Sequence, residues 1–140
     1  MIIEKRTVIK ALREEPLESG SFFDKNNVKN CKVCAVGAVV RKSLKGKING
    51  LTRNTLVSYC ETITNEEYIN EDVEYLLAKR NYLGALSTFF EWEAGSDDDS
   101  DCSGPNITPE LRETLVEFVR KNFPTRFKVI DVDKFVKDTL

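Results

Sequence analysis

Histidine is absent from all 140 residues of this chain. It is the commonest general base and metal ligand, so its absence removes any Ser–His or Cys–His nucleophile pair and most zinc-site patterns. Long apolar runs are missing as well. The longest, residues 33–40, holds eight residues and includes Cys34 and Gly37, against the roughly 20 needed to cross a bilayer. No secretory signal is expected, because Met1-Ile2-Ile3 runs directly into Glu4-Lys5-Arg6 without the apolar stretch such a signal requires. Four cysteines in that setting fit reduced thiols in a cytoplasm. A glycine-rich phosphate loop is also lacking, since Gly46, Asn49 and Gly50 are too scattered to form one.

The most informative deficit is of one sign of charge. Residues 25–60 contain no acidic residue but eight basic ones: Lys25, Lys29, Lys32, Arg41, Lys42, Lys45, Lys47 and Arg53. Residues 61–113 invert this, with fourteen Asp or Glu against Lys79, Arg80 and Arg112. The net charge of −2 therefore hides two electrical halves, and such asymmetry speaks to partners rather than to fold.

What is present suits one compact domain over residues 1–140, with 41% apolar and 31% charged residues. The expected class is α+β, a helix-dominated single domain with a small β-sheet or hairpin. Ile2, Ile3, Val8, Ile9 and Leu12 recur near the helical period and predict a helix over residues 3–15, closed by Pro16. Residues 17–24 read as a short extended piece turning at Gly20. Residues 33–44 are apolar nearly all round, which suits either a buried strand or a central helix. Their length, with the small residues Ala35, Gly37 and Ala38, favours the helix.

Thr52 is expected to cap a helix carrying Leu56, Tyr59, Cys60 and Ile63, and Asn70 one through Val73, Leu76 and Leu77. Another helix is predicted over residues 82–92. Residues 95–106 are expected to form an acidic, flexible loop. Thr108, Pro109 and Glu110 then open a helix with Leu111, Leu115, Phe118 and Val119 as its apolar stripe. After Pro124, residues 127–132 alternate as a strand does.

Cys31-Lys32-Val33-Cys34 has the spacing of half a zinc site or of a dithiol pair. Cys60 and Cys102 are isolated, and Cys34 leads into Ala35-Val36-Gly37-Ala38, so the pair reads as structural thiols with no metal and no cofactor. Asp97, Asp99 and Asp101 occupy the first three ligand positions of a calcium loop, but Cys102 stands where glycine is needed and Thr108 where glutamate is needed. A solvated acidic loop is the better reading.

The basic segment is the stronger signal. Arg41, Lys42, Lys45 and Lys47 cluster around the turn leading to Thr52 and Arg53. Basic side chains beside a helix start suit a phosphate or carboxylate. All are expected to be solvated, so reversing Arg41, Lys42 and Lys45 is expected to leave stability unchanged. Long nucleic acid is an unsuitable partner. The acidic half repels a phosphate backbone, and no aromatic residue lies between Lys25 and Arg53 to stack bases.

The order of landmarks is Ala11-Leu12-Arg13, Ser19-Gly20-Ser21-Phe22, the cysteine-bearing Val36-Gly37-Ala38 helix, then Leu86-Ser87-Thr88-Phe89-Phe90-Glu91, a polar loop and a further helix. It resembles a group of small phage and mobile-element proteins with a Cys-rich Val-Gly-Ala or Leu-Gly-Val helix, for which no catalytic residue is established. Where that group has an Asn-Asp landmark, this chain has Ser87-Thr88-Phe89-Phe90.

The resemblance implies a phage setting, a host cytoplasm, and action by binding. The expectation is a non-enzymatic accessory protein, a counter-defence inhibitor or a sequesterer of an anionic, phosphate-bearing ligand. Its site would be Arg41, Lys42, Lys45, Lys47, Thr52 and Arg53. One alternative is an acidic face, Asp97, Asp98, Asp99 and Asp101, that mimics nucleic-acid charge and binds a host protein. Another is a cysteine-dependent enzyme, disfavoured by the missing histidine. Homo-oligomers are a further possibility, because the two halves attract across copies.

Overall fold

The computed structural model describes residues 1–18, 22–23, 28, 32–65, 72–94 and 107–139. An early and a late segment of the chain meet in a small antiparallel sheet. Strand β1, Ile2–Glu4, pairs with β2, Arg126–Lys128, placing Ile3 opposite Phe127. Ile3 is buried while Ile2 is exposed, as the alternating faces of a strand require. The predicted first helix therefore starts later than its apolar period suggests, because sheet pairing claims Ile2 and Ile3. Helix α1 spans Lys5–Glu14. Glu15 is already extended at ψ 146°, the conformation imposed on a residue that precedes proline.

Leu17 forms an isolated parallel bridge with Val33, the one described trace of the extended piece. Residues 19–21 and 24 lie outside the described residues. Helix α2, Ala35–Leu44, is the central helix of the core, buried without interruption from Ala35 to Arg41. It packs against α1 and against two later helices, α3 (Arg53–Thr64) and α5 (Tyr82–Glu93). A Cβ on Gly37 would lie 2.0 Å from the Phe22 carbonyl oxygen. Glycine is needed there so that the incoming chain can cross the helix closely. A 3₁₀ helix, Lys45–Gly50, follows α2, and its first residue has φ 52° and ψ −126°.

Thr52 caps α3 as expected, its side chain accepting from the Thr55 N–H at 3.2 Å. The short α4, Val73–Ala78, is capped by Asp72, while Asn70 lies outside the described residues. Asn81 caps α5, and its Nδ2 also donates to the Thr64 carbonyl at 2.8 Å, clamping the end of α3 to the start of α5. Helix α6, Pro109–Asn122, opens with Thr108 accepting from the Leu111 N–H at 3.1 Å.

The predicted 127–132 strand is shorter than its alternation implies. Val132 instead begins helix α7, Val132–Thr139, whose first turn is held by Asp131 accepting from the Asp133 N–H at 2.8 Å. The chain is thus a helix-dominated α+β domain with a two-stranded sheet and one apolar core, and α1 is gripped between α2 and α6. Among the described residues no helix is long and apolar enough to cross a membrane.

Candidate functional site

The C-terminal end of α2 and the 3₁₀ helix after it face the outer side of α1 across a cleft of about 720 Å³. That volume lies within the ~300–1,000 Å³ usual for small-molecule sites. Arg6, Thr7 and Lys10 come from α1, and Lys42, Lys45 and Ile48 from the opposite wall. Arg6 and Lys10 are one helical turn apart on a single face, which the i, i+4 geometry of a helix dictates. Arg41 and Glu15 complete the lining and are among its least exposed residues.

Charge in the cleft is unevenly compensated. Arg41 is 8% exposed, donates from Nε to Glu15 at 2.7 Å and from Nη1 to the Val28 carbonyl at 2.8 Å. It is a structural cation, and the expectation that it is solvated is corrected: α2 carries it into the core, where a carboxylate must neutralise it. Lys42 reaches Glu14 at 3.0 Å and Glu15 at 3.8 Å. Arg6 pairs with Glu4 at 3.0 Å on an open surface, where such pairs contribute little. Lys10 and Lys45 are exposed, and neither is in an ion pair among the described residues. Lys45 also holds a positive φ that side chains rarely adopt, a conformation costing about 1–3 kcal/mol.

The other sequence-derived residues stand outside the cleft lining. The Lys47 ammonium binds Asp133 at 2.9 Å, a hydrogen bond that holds its pKa above the ordinary lysine value. Arg53 donates from Nε to the Phe23 carbonyl at 2.8 Å. Thr52 is occupied as a cap, so the start of α3 already has an acceptor of its own. Asp97, Asp98, Asp99 and Asp101, with the rest of the acidic loop, lie outside the described residues, as do Cys31 and Cys102. Arg6, Thr7 and Lys10 lie outside the basic segment that the sequence singles out. The i, i+4 spacing of Arg6 and Lys10 was visible, but the packing of α1 on α2 was not.

The described thiols are poor nucleophiles. Cys34 and Cys60 are both buried. Burial pushes the Cys34 thiol up to about 12, although its sulfur accepts from the Gly37 N–H at 3.5 Å, and burial also raises Cys60 well above the ordinary range. The described residues include no cluster of three potential metal ligands. No protein-family model, curated protein or solved structure matches this chain.

Proposed function

We propose that this chain is a non-catalytic binding protein that sequesters a phosphate-bearing anion in the α1–α2 cleft, in keeping with a phage-type accessory role. The observation that carries this reading is the pair Lys10 and Lys45, which face one cleft without a carboxylate of their own among the described residues. Convergent ammonium groups repel one another, and a bound anion relieves that repulsion while gaining charge-assisted hydrogen bonds. Cations stand on both walls, Arg6 and Lys10 facing Lys42 and Lys45. That arrangement suits a ligand with two anionic groups, a diphosphate, better than a single phosphate. Arg41 and Glu15 form the rigid base beneath.

Calorimetric titration with inorganic pyrophosphate tests this reading. Wild-type protein is expected to bind, and to bind more weakly as salt rises. Lys10→Glu/Lys45→Glu should weaken binding by about a hundredfold or more, since each of the two lost charged hydrogen bonds removes about 1.5–3 kcal/mol. Its melting temperature should stay near that of the wild type, because both side chains are exposed. Undiminished affinity in the double reversal contradicts the proposal.

A further inference from the structure

A second hollow, of about 380 Å³, lies where the C-terminal end of α3, the α4–α5 turn and β2 meet. Its polar lining includes Lys79, Arg80 and Lys128, with the side chains of Asn65 and Asn81, and among the described residues it contains no Asp or Glu. This is unexpected from the sequence. Lys79 and Arg80 are two of only three cations within the acidic stretch 61–113, and Lys128 comes from a distant segment. Folding converts part of the acidic half into a local concentration of positive charge.

None of the three cations forms an ion pair among the described residues, and all are exposed at the rim. Bringing three like charges to one hollow is unfavourable unless an anion enters. Arg80 sits there at φ 62°, a left-handed conformation in which glycine would carry no steric cost. Retaining arginine at such a position is costly for folding alone. The remaining wall is mostly apolar, with Ile63, Leu83, Phe127, Val129 and Ile130 beside Thr62 and Tyr82. The Phe127 ring is held by Tyr82 at 5.2 Å and by Phe123 at 5.7 Å.

We infer that this hollow is a second binding site, separate from the α1–α2 cleft, for the phosphate monoester of a small, partly apolar molecule. The phosphate lies among Lys79, Arg80 and Lys128, and the organic portion lies against Phe127 and Val129. Anion and apolar surface are both required. Inorganic phosphate alone would leave the apolar wall exposed to water, and a neutral alcohol would leave the cations uncompensated.

The test is calorimetry with phenyl phosphate, inorganic phosphate and phenol as separate probes. Wild-type protein is expected to bind phenyl phosphate at least about tenfold more tightly than either other probe, from burial of the ring together with charged hydrogen bonds. Arg80→Gly/Lys128→Gln should lose that binding while melting at or above the wild-type temperature, because glycine relieves the positive φ. A loss of binding in a folded variant is therefore not a loss of structure. Lys10→Glu/Lys45→Glu, which disables the α1–α2 cleft, should bind phenyl phosphate as the wild type does. The inference is overturned if wild-type protein prefers inorganic phosphate or does not bind phenyl phosphate. It is equally overturned if the Arg80/Lys128 variant binds unchanged, or if only the Lys10/Lys45 variant loses binding.

Discussion

Arg41 and Lys45 are four positions apart in one basic run and do opposite work. Arg41 is enclosed by Glu15 and the Val28 carbonyl, whereas Lys45 stands in solvent at the rim of the cleft. Removing one partner of a buried pair costs about 3–5 kcal/mol. Arg41→Ala should therefore lower stability by that amount in urea melts, whereas Lys42→Ala should change it by less than about 1 kcal/mol. Equal effects would contradict the division. A sequence shows both residues as charges in a basic segment. Only the directions in which α2 and the 3₁₀ helix after it present them separate a buried, paired cation from an exposed one.

The thiols give a residue-scale test of a different kind. Burial pushes the Cys34 thiol up to about 12 from an ordinary value of 9.0, and it raises Cys60 and Tyr59 in the same direction. The folded state thus binds protons that the unfolded state releases first. Stability from Cys34 is fully present below pH 9 and is lost as pH rises towards 12, and Cys60 and Tyr59 act in the same direction. Urea melts should give the same stability from Cys34, Cys60 and Tyr59 at pH 7 and 8 and a decline above 9. Peptide mapping after iodoacetamide treatment of folded protein at pH 8 should find Cys34 and Cys60 unmodified. Fast modification of Cys34 would contradict its burial and reopen a nucleophilic role.

Among the elements, α2 was the most legible and β2 the least. The apolarity of residues 33–44 was enough to place a central helix, because only burial on all sides makes such a segment tolerable in water. The helix caps at Thr52 and Thr108 were equally readable, since capping is a local hydrogen bond between residues close in sequence. The first helix and the last strand were misjudged at their ends for one shared reason. Ile2–Glu4 and Arg126–Lys128 become strands by pairing with each other across nearly the whole chain, and no local pattern reports that partner. Helix α7 was missed because the alternation of residues 127–132 ran across its first residue. Gly37 is the element-scale test. Its Cβ would meet a backbone carbonyl at 2.0 Å, and a backbone group cannot swing aside as a side chain can. Gly37→Ala should destabilise by about 3 kcal/mol, the upper end of core overpacking. A melt unchanged from wild type would mean that residue 22 does not cross α2 there.

For the molecule as a whole, the described part of the basic segment does not stand free as one basic face. The basic run is partly spent within the fold, with Arg41 on Glu15, Lys42 on Glu14 and Lys47 on Asp133. What remains is a cleft completed by Arg6 and Lys10 from outside that run. The excess of positive charge in residues 25–60 was readable, because segment charge does not depend on topology. The residues that form the cleft were only partly readable, because two of its cations come from a helix whose position on α2 is set by packing.

The most direct measurement is a ¹H–¹⁵N amide map of the protein titrated with inorganic pyrophosphate. Binding in the α1–α2 cleft should give shifts concentrated at residues 6–10 and 41–48, with residues 79–82 and 126–130 unmoved at low ligand concentration. No shifts, or shifts centred away from the α1–α2 cleft, would contradict it.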